Sequence, residues 1–195
     1  MMRTRKEYKN YLECDARALN CTKKRPAFFG DEIWKFQRTL RKREYYSSFH
    51  KMKKMIYIVP IVLNRLNFKR LSLKLGFSIP AGVFAEGLSI AHYGTIVVSA
   101  GATVGKNCRI HEGVNIGATN GSEKAATIGN NVFIGTGAKI IGEITIADDV
   151  AIGANAVVVK SITEPGTTWA GVPARKISSN NSHSNLSPQL FDSCK

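Results

Sequence analysis

From Val98 onward, aliphatic residues return at every sixth position. Val98, Val104, Ile110 and Ile116 hold the period, and Ile128, Ile134, Ile140, Ile146, Ile152 and Val158 resume it. Glycine often follows, as at Gly105, Gly117, Gly129, Gly135 and Gly153, and a small residue takes the fourth place at Cys108, Ala138 and Ala156. Six is neither a helical period nor a strand alternation. A sustained hexapeptide repeat predicts a parallel β-helix, in which short strands joined by tight turns stack like residues into columns roughly 4.8 Å apart. Glycine accepts the unusual backbone angles of the corners. Ser122 is the expected aliphatic position that is polar, and it lies in ATNGSEKAAT, which reads as a loop pushed out from the coils. The period is also disturbed between Ile90 and Val98, where SIAHYGTIVV places a histidine and a tyrosine among strand-forming residues.

Ahead of the repeat the pattern changes. In DEIWKFQRTLRKREYYSSFH (31–50), Ile33, Trp34, Phe36, Leu40 and Tyr45 recur at helical spacing among cations, with Asp31 and Glu32 suited to a helix N-terminus. A second helix is predicted through VLNRLNFKRLSLKLG, ending at Gly76. The chain thus divides into a basic helical segment (1–75), a β-helix (76–177) and a polar tail, SSNNSHSNLSPQLFDSCK, expected to be disordered (178–195).

Composition sharpens this division. The 195 residues are 44% hydrophobic and 22% charged, as in ordinary globular proteins, but the net charge is +14. The first 75 residues hold 20 of the 28 Lys and Arg and 6 of the 14 Asp and Glu, so the remainder is neutral. Two roles suit the basic segment: capping the first coils while helping subunits associate, or resting on an anionic membrane surface. No nucleic-acid-binding motif is present, and no nucleic-acid partner is expected. Cys14, Cys21, Cys108 and Cys194 lack CxxC spacing and read as reduced cytosolic thiols. The longest apolar run, Met55 to Leu63, is far short of the ~20 residues of a spanning helix, and the basic N-terminus is followed by no apolar run of a signal peptide. A cytoplasmic protein is expected, with peripheral contact at the inner face of the membrane as the second role of the basic segment.

Three stretches, GLSIAHYGTIVV, TIGNNVFIGTGAKIIGEITIADDVAIGANAVVVKSI and AGVPARKI, together resemble the left-handed β-helix acyltransferases of the hexapeptide-repeat superfamily. The resemblance covers about Gly76 to Ile177 and is strongest to the serine O-acetyltransferase branch, especially the enzymes of capsule and exopolysaccharide biosynthesis. It implies a mainly β molecule, a left-handed parallel β-helix with a short helical front segment. It also implies acetyl-CoA as co-substrate and a homotrimer with active sites between subunits. No His/Cys/Asp cluster has metal-ligand spacing, and no metal is expected.

On this resemblance His92 is the catalytic base. An acceptor hydroxyl becomes a competent nucleophile when a nearby base takes its proton during attack on a thioester, and imidazole is suited to this near neutrality. Serine acetyltransferases usually carry an aspartate directly before this histidine, where this chain has Ala91. They also carry an Arg-His-Pro segment in the extended loop, where this chain has EKAAT, with Ala125 nearest the second histidine. Their long helical front domain is expected to be missing as well, since a basic segment of 75 residues precedes the repeat. Missing charges for an amino acid's ammonium and carboxylate favour an uncharged acceptor, such as a sugar hydroxyl of a surface-polysaccharide intermediate. Serine itself is the alternative acceptor, and a non-catalytic β-helix scaffold is an alternative of another class.

His111 lies about one coil after His92, and with Glu112, Asn115 and Tyr93 it forms the candidate acceptor site. The resemblance implies that the pantetheine arm of acetyl-CoA lies along the later coils between subunits, where small residues at Gly135, Thr136, Ala138 and Ala154 permit close approach. Lys160 and Arg175 suit the nucleotide phosphates.

Overall fold

The computed structural model describes residues 2–23 and 25–191. Cys194 lies outside the described residues; Cys14, Cys21 and Cys108 are free thiols, as expected.

Four helices occupy the basic segment: α1 (Arg5–Ala18), α2 (Glu32–Ser47), α3 (Lys51–Ile56) and α4 (Ile58–Leu75). The predicted helices correspond to α2 and α4, and α4 ends as expected at Gly76, whose φ of 78° is the left-handed cap that glycine accepts without strain. α1 was not anticipated, although its start carries a sequence signal. Thr4 and Glu7 form a capping box, with the Thr4 hydroxyl accepting from the Glu7 N–H at 3.1 Å and the Glu7 carboxylate accepting from the Thr4 N–H at 2.8 Å. The helical part is therefore more than a short segment, and the mainly β expectation is corrected to a mixed α/β molecule.

Fourteen short strands, β1 to β14 in chain order among the described residues, form three sheets. The first holds β1 (Phe77–Ser78), β3 (Ile96–Val98), β6 (Asn115–Gly117), β9 (Lys139–Ile141) and β12 (Val157–Val158). The second holds β4 (Thr103–Val104), β7 (Thr127–Ile128) and β10 (Thr145–Ile146). The third runs through β2 (Ser89–Ile90), β5 (Arg109–Ile110), β8 (Phe133–Ile134), β11 (Ala151–Ile152), β13 (Thr168–Ala170) and β14 (Arg175–Ser178). Pairing is parallel except between β13 and β14, where the chain leaves the coils.

The register explains the six-residue period. Ile90, Ile110, Ile134 and Ile152 pair in one column, Val98, Ile116, Ile140 and Val158 in another, and Val104, Ile128 and Ile146 in the third. All are buried. Ile116 pairs with Ile140 rather than with an earlier residue because the coil between them carries the exposed loop Thr119–Lys124, one extra hexapeptide.

α2 closes the open end of this core. Phe36 and Leu40 are fully buried in the same cluster as Ile90 and Ile96, each contributing about 1.5–3 kcal/mol through apolar burial. Gln37 completes the free edge of β2: its Nε2 donates to the Leu88 carbonyl at 2.7 Å and its Oε1 accepts from the Ile90 N–H at 3.2 Å. Arg41, fully buried, joins α1, α2 and the first coil. Its Nε and Nη2 donate to Asp15 at 2.8 and 3.1 Å, its Nη1 to Glu44 at 3.0 Å, and its remaining N–H groups to the carbonyls of Phe84 (2.7 Å) and Ala85 (2.6 Å).

The tail differs from expectation. Residues 178–191 fold back along a corner of the coils. The Ser182 hydroxyl donates to the Asn131 carbonyl, His183 Nε2 meets the Asp149 carboxylate at 2.7 Å, and Leu186 is buried. A short 3₁₀ turn, Pro188–Leu190, then packs against α1. Polar residues here bond to the corner rather than to water, which is why composition alone suggested disorder. No helix among the described residues is long and apolar enough to cross a membrane.

Candidate active site

The disturbed period between Ile90 and Val98 is a corner two residues longer than the repeat allows. The additional length lifts His92 and Tyr93 outward, and both are exposed. Gly94 lets this corner pass over the next coil: its φ is 138°, and a Cβ there would lie 3.0 Å from the Glu112 Cβ. The register places His111 directly after Ile110, one coil above Ala91, with Gly135 and Gly153 following in the same column.

His92, His111 and Glu112 converge on this corner. The two imidazoles meet edge to face with centroids 5.5 Å apart, and one donor atom from each of the three residues lies within 4.8 Å of the others. His111 is the inner ring. Phe133 packs against it at 5.2 Å, edge to face, and Arg109 donates a long hydrogen bond to its Nε2 at 3.5 Å. Burial, with the Arg109 cation beside it, holds His111 below the ordinary imidazole pKa, so it is neutral at pH 7. An acceptor Nε2 leaves the proton on Nδ1, which faces the Thr136 hydroxyl at 3.5 Å and the Glu112 carboxylate at 3.9 Å. Glu112 is held ionised by its own backbone N–H first, with help from Thr136 and the two histidines, against a smaller opposing effect of burial. Its Oε2 has no hydrogen-bond partner and no exposed surface, although the side chain as a whole is 33% exposed.

The structure thus brings together His92, His111, Glu112 and Thr136, the last expected as a coenzyme contact, while Tyr93 points into solvent next to His92. Asn115 is not among them; it lies around the next corner on β6, paired with Val97 and Lys139. Gly135 and Ala154 line the same corner one and two coils above His111. Ala138 is corrected: its side chain is fully buried in the core, where it stacks with Val114 and Ala156 and reaches no outer surface. Lys160 and Arg175 are exposed on the last coils. Arg109, Phe133 and Lys139 were missed. Arg109 and Phe133 are register partners flanking the histidine column, and Lys139 Nζ donates to the Gly113 carbonyl beside Glu112. Stacking the repeat into coils would have found them. A cavity of about 600 Å³ lies elsewhere, between the helices and the first coil, lined in part by Tyr11, Ile61, Asn64 and Val83. It holds none of the three converging residues, and the chemistry of the corner makes the histidine cluster the better candidate.

The set contains an exposed imidazole able to accept a proton, a neutral imidazole fixed beside it, and an ionised carboxylate with a free oxygen. That combination suits proton abstraction from a bound hydroxyl. It stands on coils of six-residue repeats, of which residues 125–160 match the family described as bacterial transferase hexapeptide, six repeats. The chain is also similar to serine acetyltransferases. It is 38% identical over 100 residues to the enzyme of Mycobacterium tuberculosis, covering 50% of this chain and 43% of that one. The crystal structure of serine acetyltransferase from Brucella abortus superposes with a TM-score of 0.69 at 26% identity, over 91% of this chain and 72% of that one. The same enzyme in complex with coenzyme A gives 0.68 at 27% identity, over 91% and 70%. These neighbours share the left-handed β-helix, in agreement with the expected hand. The chain spans about half the length of the curated relatives it matches, 43% to 58%.

Proposed function

We propose that this chain is an acetyl-CoA-dependent O-acetyltransferase with His92 as general base. The carrying observation is the convergence of His92, His111 and Glu112 on the one corner where the repeat is lengthened. His92 takes the proton of the acceptor hydroxyl as its oxygen attacks the thioester carbonyl. Collapse of the tetrahedral intermediate expels the coenzyme thiolate, which recovers the proton from the imidazolium. Glu112 steadies that imidazolium, and neutral His111 holds the acceptor. Gly135, Thr136 and Ala154 would flank the pantetheine arm, with Lys160 and Arg175 toward the phosphates, in a homotrimer with sites between subunits. The homotrimer, the cytoplasmic location and any capsule or exopolysaccharide role are parts of this proposal.

The relatives favour L-serine as acceptor over the sugar suggested by the missing charges. Ala91 does remove the expected anion, but the ionised Glu112 carboxylate, one-third exposed one coil away, offers one to an α-ammonium group. A glycan hydroxyl stays as second reading because Ala125 and Ala126, in the loop where the relatives' second histidine is expected, are buried and uncharged.

The test is coenzyme A release from acetyl-CoA with L-serine or with a panel of nucleotide sugars and glycan fragments, using His92→Ala as control. Release with serine, abolished by the substitution, supports the first reading; release with a glycan alone supports the second. Release that persists in His92→Ala refutes the base, and silence with every acceptor returns the scaffold reading.

A further inference from the structure

α4 has two apolar faces. Ile61, Leu71 and Leu75 are buried, Ile61 beside Tyr46 and Phe49 of the α2 end and the other two in the main core. On the opposite side of the same helix Val59, Leu63, Leu66 and Leu73 form a stripe at 61–75% exposure. A run of apolar side chains this long in water marks an interaction surface. The open end of the coils is already closed by Phe36, Leu40 and Gln37 of α2, so capping leaves this stripe unexplained.

Charge identifies the occupant. Lys51, Lys54, Arg65, Lys69 and Arg70 are exposed on the same two helices, and residues 51–75 contain no Asp or Glu. Two copies pairing through this face would oppose cations with nothing to neutralise them, whereas an anionic surface offers both the missing charge and an apolar interior. We infer that α3 and α4 seat the protein on an anionic lipid membrane, with Val59, Leu63 and Leu66 entering the headgroup–acyl boundary to a depth of roughly 5–10 Å. The cations engage the phosphate headgroups beside them.

The test uses the full chain and sedimentation with vesicles of phosphatidylcholine alone or mixed with phosphatidylglycerol. Binding is expected to the mixed vesicles only and to weaken with salt. Val59→Gln/Leu63→Gln/Leu66→Gln should weaken it by at least ~10-fold, and Lys69→Glu/Arg70→Glu by at least ~25-fold. All five positions are on the outer side of α4, so far-UV spectrum and melting midpoint should be unchanged. Sedimentation with neither vesicle, or equally with both, overturns the inference. So does a triple variant that binds as before but forms a smaller oligomer by light scattering, which would assign the stripe to contact between copies.

Discussion

Replacing Arg41 by methionine keeps much of the side chain's length and apolar volume and removes the guanidinium that ties α1, α2 and the first coil together. The consequences can be followed bond by bond. Asp15 Oδ1 keeps the N–H groups of Gly87 and Leu88 at 2.9 and 3.0 Å, but Oδ2 loses its partner. Glu44 Oε1 keeps the Gly82 N–H at 2.8 Å while Oε2 is stranded, and the carbonyls of Phe84 and Ala85 each lose a donor. Both carboxylates remain almost fully buried, so the change leaves uncompensated charge in the interior at a cost of about 3–5 kcal/mol. Against a typical total of roughly 5–15 kcal/mol, that is a large share. Urea denaturation followed by circular dichroism, at one fixed protomer concentration, measures the loss. Arg41→Met/Asp15→Asn/Glu44→Gln, which removes the stranded charges, should recover part of it. A loss for the single variant below about 1 kcal/mol, the worth of an exposed pair, would refute the argument.

Glu112→Gln should raise the KM for L-serine by ~10-fold or more, its carboxylate meeting the ammonium group, since a hydrogen bond to a charge contributes about 1.5–3 kcal/mol; an unchanged KM removes Glu112 from the acceptor site. His111→Gln addresses pH. His111 has a folded pKa below 6.5, so on acidification the unfolded chain binds a proton that the fold resists, and stability falls as pH drops below that value. The variant should flatten this limb in urea titrations between about pH 7 and 5; an unaltered slope assigns the loss to other groups. Gln37→Leu unpairs the Leu88 carbonyl and the Ile90 N–H at the open strand edge and should cost about 1–3 kcal/mol in the same assay. A cost near zero would mean that the edge of β2 needs no partner.

The columns of the coils were legible because each is a single residue type returning at a fixed interval, and burial enforces that regularity. The break at His92 was legible as a defect in the period, although the facing of the side chain was not until the register of Ile90 and Ile110 was known. α1 escaped because its buried residues are Asp15 and Ala18 rather than an apolar stripe. Beyond the Tyr8–Tyr45 stack its attachment rests on an ion pair, and Asp15 becomes an interior residue only when Arg41 is placed opposite. Arg109 and Phe133 escaped for a similar reason: each looks like an outer strand residue until stacking brings both against one imidazole. The polar tail looked solvated because its partners, Asn131 and Asp149, lie far back in the chain.

That tail has a mechanical consequence. Repeat proteins whose units touch only their neighbours can fray from either end, one unit at a time. Here a ladder of Asn107, Asn131 and Asp149, linked at 2.8 and 2.9 Å, runs down one corner, and the returning chain fastens along it before reaching α1. The last coil therefore cannot peel away without also loosening its hold on the first helix. The solenoid behaves as a buckled belt, and its coils should be lost together rather than in succession.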